Sequence, residues 1–294
     1  MEIGWVKMDH VKDMANRSNH TGEGPATGVA DALILAVETS SRVGSAALAL
    51  GPGLVEEVRF SGPLQHSAEL FPALDGLLRR HRYTPADVDQ IHIALGPGSF
   101  TGLRIAVTMA KAMSLASAVR IVTVDSLDVV AANVSDVPGR QIDTPDGKIS
   151  LPDRIVALFD AKRGQFYASA YRRVTPGPQG SRRDDAQDPG YRIPAPHNGL
   201  WQKIAPDRLM TVQEIIEDFA APGPIALLGD GLFYHRDKFA ADRALVLPER
   251  YWSPHAANVH RLGYQKALAG RFDDPLALTP FYLRGPEVTL RKRP

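Results

Sequence analysis

Gly96-Pro97-Gly98-Ser99-Phe100-Thr101-Gly102 is the stretch on which the fold turns. Before it, Ile91–Leu95 is a short apolar run that reads as a buried strand, and after it Leu103–Ser117 has the length and composition of a helix. A strand, a glycine-rich turn and a helix in that order define an α/β layer. The glycines permit positive φ and close backbone approach, and Ser99 or Thr101 can cap the helix. Two readings of the turn stand side by side: a purely structural tight turn, or a backbone cradle for an anion. It matches neither common phosphate fingerprint, because its glycine spacing is longer than G-x-G-x-x-G and no Gly-Lys-Ser/Thr follows.

The helix after the turn is apolar around most of its circumference. Leu103, Ile105, Ala106, Val107, Met109, Ala110, Ala112, Met113, Leu115 and Ala116 leave only a stripe of Arg104, Thr108 and Lys111. Such a helix must be covered on most faces, either by its own chain or by another protein, and the pattern leaves both open. Upstream, Leu33–Glu38 is a buried strand ending in the polar group Thr39, Ser40 and Ser41, which is either an ordinary turn or a phosphate contact. Gly44–Leu50 and Leu54–Phe60 flank the Gly51-Pro52-Gly53 turn as two more strands. In His66–Arg82, Leu70, Phe71, Leu74, Leu77 and Leu78 form one face of an amphipathic helix. A strand at Ile121–Val124 and a helix at Ser126–Asn133 complete a βββαβαβα half.

Residues 136–151 read as a polar linker and Arg154–Phe159 with Phe166–Tyr171 as a second pair of strands. Residues 174–207, rich in Pro, Gly, Arg and Asp, read as a surface excursion. Thr211-Val212-Gln213-Glu214 is a capping box, and the last helix is expected to start at Ser253-Pro254 and stop at Gly270. The recurrence of strands followed by helix, strand and helix implies two related α/β lobes. The expected divisions are a flexible extension at 1–30, a first lobe at 31–135, the linker at 136–151 and a second lobe at 152–294.

With 44% hydrophobic residues and 23% charged, the 294-residue chain can bury the cores of two lobes. It has no cysteine, which removes disulfides, thiol nucleophiles and thiolate metal sites, and is consistent with a cytoplasmic protein. No apolar run has the length of a membrane span and the first thirty residues lack a signal-peptide core. A net charge of +1 gives no general attraction to nucleic acid, although Arg291-Lys292-Arg293 is locally basic. No histidine pair has metal-binding helical spacing; His66, His255 and His260 read as cap, surface or core residues. Ser40, Ser41 and Ser99 would be nucleophiles only beside a base, and the sequence implies none.

Taken together, LILAVETSS (Leu33–Ser41), HSAELFPALDGLL (His66–Leu78), ALGPGSFTGLRIAVTMAKAMSLA (Ala94–Ala116), VALFDAKRGQFYASAYR (Val156–Arg172), LLGDG (Leu227–Gly231) and PFYLR (Pro280–Arg284) resemble the TsaB (YeaZ) family. The resemblance implies two actin-like ATPase (RNase H-like) lobes, each with a mixed central sheet flanked by helices. It implies a non-catalytic scaffold of the tRNA threonylcarbamoyladenosine machinery that dimerises with the catalytic paralogue TsaD and works with TsaE. tRNA would be met indirectly, through the complex, and the chain alone would form a homodimer. The partner interface would then include Leu70, Phe71, Leu74, Leu77, Leu78, Arg104, Val107, Thr108 and Lys111. No intrinsic cofactor is implied, but ATP or ADP at the partner joint would touch Thr39, Ser40, Ser41, Gly96, Gly98 and Ser99. The resemblance also places Ser126 and Val130 where TsaD-like proteins carry an H-x-x-x-H metal pair, and Asp160-Ala161-Lys162-Arg163-Gly164 where they carry a phosphate turn, so neither metal nor catalytic residues are expected. The alternative is an independent ATP-using or metallopeptidase-like enzyme of the same superfamily, and a weaker one is direct tRNA binding by Arg284 and the basic tail.

Overall fold

The computed structural model describes residues 28–62, 65–135, 137, 141–144, 147–174, 192–193, 200–221, 223–239 and 243–284. The expected N-terminal extension, except its last residues, the tail Arg291-Lys292-Arg293 and much of 174–207 lie outside them.

The first sheet has the order β3-β2-β1-β4-β5, from β1 (Leu33–Glu38), β2 (Ser45–Leu50), β3 (Gly53–Arg59), β4 (Gln90–Gly96) and β5 (Arg120–Asp125). β1, β2 and β3 form an antiparallel meander, while β4 and β5 run parallel to β1. The parallel pairs need crossovers, and α1 (His66–Arg80) and α2 (Phe100–Ser117) supply them. Every residue of β1 is buried, because helices cover both faces of the sheet, and this produces the unbroken apolar run. α1 and α2 pack Leu70, Leu74, Leu77, Ala106 and Met109 on one face, against Leu35, Ile91 and Ile93.

The second half contains α3 (Ser126–Ala131), the hairpin β6 (Gln141–Thr144) and β7 (Gly147–Ser150), then β8 (Arg154–Asp160), β9 (Gln165–Val174), β10 (Arg192–Ile193), β11 (Leu200–Lys203), β12 (Arg208–Thr211), α4 (Val212–Ile215), β13 (Ile225–Leu228), α5 (Leu232–His235), β14 (Ala244–Val246) and α6 (Ala256–Leu268). Its sheet runs β10-β11-β9-β8-β13-β14, with β12 also paired to β9. A core of Val129, Val130, Val259 and Leu262 from α3 and α6 fills the space between the sheets, against Ala36, Ala94, Ala157, Phe159 and Leu228.

Three expectations are corrected. The linker at 136–151 contains a hairpin in which Ile142 faces Ile149; one apolar residue per strand is too weak a pattern to announce it. Within 174–207, β11 joins the second sheet beside β9 and Trp201 is buried, so this part is sheet rather than surface loop. The last helix starts at Ala256, not at Pro254, and lies on the first sheet, its inner face in the core shared with the second. Its first N–H groups are capped from a distance, Ala256 N by Ser45 Oγ at 2.8 Å and Ala257 N by Glu57 Oε1 at 3.2 Å, a tertiary cap that no local motif reveals. His260 stacks on His92 of β4, with ring centroids 5.9 Å apart, and Gly263 leaves room for that His92 ring.

Candidate functional site

The loops at the carboxyl ends of β1, β4, β8 and β13 meet at a cleft, the usual position for a ligand in an α/β sheet. The cavity holds 390 Å³ and is lined by Ser40, Ser41, Arg42, Gly98 and Ser99 from the first half and Asp160, Lys162, Asp230, Tyr234 and Arg284 from the second.

Its first wall is a lock between two turns. Ser99 N donates to Ser40 O at 2.7 Å, and Thr39 Oγ1 donates to Gly102 O at 2.8 Å. A Cβ on Gly98 would lie 2.3 Å from Ser40 O, and one on Gly102 1.9 Å from Thr39 O, so both glycines are required by backbone contact with the end of β1. Gly96, at φ +125°, is pressed against Phe281 O, and its N–H is taken by Ser126 Oγ at 3.0 Å. Ser99 Oγ caps α2 by accepting from Gly102 N at 3.3 Å. His66 packs as expected, its Nε2 donating to Ser41 O at 2.9 Å. Of the residues assigned to a nucleotide, Ser40, Ser41, Gly98 and Ser99 line the cavity; Thr39 and Gly96 serve the lock instead.

Two carboxyl groups, Asp160 and Asp230, line the cleft, and a third, Glu38, is buried at the end of β1 outside its lining. Glu38 is fully buried; its Oε1 accepts from Ser40 Oγ at 2.6 Å and its Oε2 has no partner among the described residues. Burial, against the opposing Ser40 hydrogen bonds and with the charge of nearby Asp230, pushes the Glu38 carboxyl up to about 7. Asp230 is likewise pushed up to about 7, first by burial and then by Asp160, although backbone N–H groups of Asp160 and Arg42 oppose the shift. Burial also acts upward on Asp160, but Lys162, whose N and Nζ both donate to it at 2.7 Å, holds it below the ordinary value. Arg284 spends its guanidinium on Ala161 O and Gln165 Oε1. A phosphate entering here meets the carboxyl groups of Asp160 and Asp230 and a lysine already neutralised by Asp160; of the two arginines in the lining, Arg284 is engaged within the chain and Arg42 sits over the Phe233 and Tyr234 rings, so these residues do not fit a nucleotide triphosphate held by this chain alone. No group of three or more His, Asp or Glu side chains among the described residues is placed to hold a metal ion. Val130 is buried in the core between the sheets.

The expected partner residues divide sharply. Leu70, Leu74, Leu77, Leu78 and Val107 are buried in the chain's own core and present no side chain to a neighbour, which corrects their assignment. Phe71 is 57% exposed and Leu115 74%, while Ala68, Pro72, Thr108 and Ala112 are also exposed. Arg104 is at the surface but engaged within the chain, its guanidinium 3.8 Å over Phe100 and its Nε donating to Tyr282 OH at 3.1 Å. Lys111 is half-buried.

A buried ionic cluster beside α3 escaped the sequence. Lys203 Nζ lies 2.9 Å from Asp125, 3.1 Å from Asp128 and 2.6 Å from Asp207, and Tyr171 OH donates to Asp128 at 2.7 Å. Burial alone would lower the Lys203 ammonium, yet the three carboxylates hold it above the ordinary lysine value. Asp207 is raised, by burial and then by the charge of Asp125.

Two lobes with mixed sheets, helices on the outer faces and a cleft at their strand ends define an actin-like α/β protein. The family model described as "TsaD: tRNA N6-adenosine threonylcarbamoyltransferase" matches residues 63–233, more than half of the chain. The Bacillus subtilis tRNA threonylcarbamoyladenosine biosynthesis protein TsaB is 29% identical over 85% of this chain and 93% of its own length. The Haemophilus influenzae protein of the same name is 22% identical over 89% and 97%. The solved structure titled "YeaZ from Pseudomonas aeruginosa" superposes with a TM-score of 0.64 at 20% identity, covering 86% of this chain and all of that one, a likeness of fold. The chain belongs to the TsaD-type family, on its TsaB (YeaZ) side. No helix among the described residues is long and apolar enough to cross a membrane.

Proposed function

We propose that this protein is the non-catalytic scaffold and activator of a tRNA threonylcarbamoyladenosine complex, docking through α1 and α2 on TsaD and working with TsaE. The observation that carries this is the large apolar side chains the two helices leave uncovered, Phe71 on α1 and Leu115 on α2, on an α2 whose other side is already filled by the core. The matching family model supports TsaD as occupant, since that protein shares the fold and can offer equivalent helices. The non-catalytic part is supported by Ser126, whose hydroxyl serves Gly96 N, and by buried Val130, at the positions where TsaD-like proteins place metal-binding histidines. ATP or ADP, in this reading, is held at the joint with the partner rather than by the acidic cleft, and tRNA is met through the complex in the cytoplasm. Without TsaD the same face pairs with a second copy.

The test is reconstitution. Purified TsaD and TsaE of the same organism, supplied with threonylcarbamoyl-adenylate and ATP, should transfer threonylcarbamoyl to tRNA with release of AMP only when this chain is added, and a pull-down should recover TsaD with or without ATP. Metal-dependent turnover by the isolated chain, abolished in Asp160→Asn, would instead establish the independent enzyme.

A further inference from the structure

A second cavity, of 420 Å³, shares Arg42 with the cleft but contains no residue of α1, α2 or the glycine turn. Arg42 comes from the turn after β1, Arg59 from the end of β3, and Glu249, Arg250 and Ser253 from the segment before α6; Phe233 of α5 adds an aromatic wall. Three arginines and one glutamate therefore line the same cavity, in a chain whose 34 basic and 33 acidic residues nearly cancel. Arg59 is exposed, and its side chain has no hydrogen bond or ion pair among the described residues, its backbone being paired with Ser45 of β2. The Arg42 guanidinium lies 4.4 Å over the Tyr234 ring and 5.3 Å over Phe233. Arg250 gives one N–H to Asp143 O at 2.6 Å and keeps its other donors.

Three arginines against one glutamate leave an excess of positive charge in the cavity, greatest at Arg59, and a bound anion would offset it. Arginine's planar fork matches the spacing of phosphate oxygens, and an aromatic wall accepts a stacked base. We propose that this cavity binds the phosphate of a nucleotide, with Arg59 and Arg250 contacting the oxygens and Phe233 facing the base. The phosphate belongs either to an RNA strand or to a free nucleotide. The proposal is independent of docking on TsaD.

The probes are a short fluorescein-labelled single-stranded RNA, followed by anisotropy, and ATP, followed by calorimetry. Both are titrated into the full-length chain, the double variant Arg59→Gln/Arg250→Gln and the control Arg236→Gln/Lys238→Gln, whose exposed residues lie outside the cavity. Thermal melts establish that all three are folded. The double variant should bind at least about tenfold more weakly, and for RNA the slope of log K against log salt should flatten by roughly 1.4, the value for two lost phosphate contacts on a single strand. A loss seen with RNA alone assigns the site to a strand, and one seen with ATP alone to a free nucleotide. Absence of binding to either probe, or equal weakening in the control, overturns the proposal.

Discussion

Replacing Glu38 with glutamine should stabilise the protein at alkaline pH and leave it unchanged in acid. Glu38 is fully buried, with Oε2 unpartnered among the described residues, and burial pushes its carboxyl up from 4.5 to about 7. Its folded state therefore binds the proton more tightly than the unfolded chain between those values, so stability falls as pH rises through that window. The favourable contribution of the neutral acid is complete below 4.5 and gone above 7. A shift of some two and a half units corresponds to about 3 kcal/mol at 1.36 kcal/mol per unit. The amide of the Glu38→Gln variant would keep an acceptor for Ser40 and place an N–H donor beside Asp230, whose own titration near 7 contributes separately. Urea unfolding of both proteins at pH 5 and pH 8 should show a small difference at the lower pH and a gain of about 3 kcal/mol for the variant at the higher. A variant destabilised equally at both pH values would refute the buried, uncompensated carboxylate.

Lys203→Met leaves Asp125, Asp128 and Asp207 without their cation and should cost about 3–5 kcal/mol at pH 8, read from urea midpoints, with a smaller deficit at pH 5, where the orphaned carboxylates take up protons. Gly102→Ala should cost about 3 kcal/mol or more by thermal or urea melt, because its Cβ would sit 1.9 Å from Thr39 O, whereas Gly62→Ala, with nothing within 4 Å, should change little. Leu74→Asp should unfold the isolated chain through its buried charge, while Phe71→Asp should leave the melting temperature within a degree or two, as circular dichroism can check.

The first half of the chain was legible because its elements obey local rules. Five apolar residues of β1 in a row, the leucine stripe of α1 and the serine cap before α2 each announce themselves within a few positions. The glycine turn was recognisable, but its purpose was not: whether Gly98 and Gly102 meet an anion or a carbonyl depends on where the turn after β1 lies, sixty residues away in sequence. The stripe of α1 likewise showed that a face is buried without showing by what, and the structure gives Leu70, Leu74, Leu77 and Leu78 to the chain's own core. Arg42, Arg59 and Arg250 carry no shared motif and converge only through the tertiary fold, as do Lys203 and its carboxylates. The start of α6 is hidden for the same reason, since its capping groups come from β2 and β3.

The docking of this chain on TsaD through α1 and α2 is open to a direct measurement: sedimentation of the purified chain mixed with TsaD, for wild type and for Phe71→Asp/Leu115→Asp. The wild type should form a heterodimer and the double variant should sediment as separate, still folded chains. A complex of undiminished affinity in the double variant would place the interface elsewhere and contradict the account.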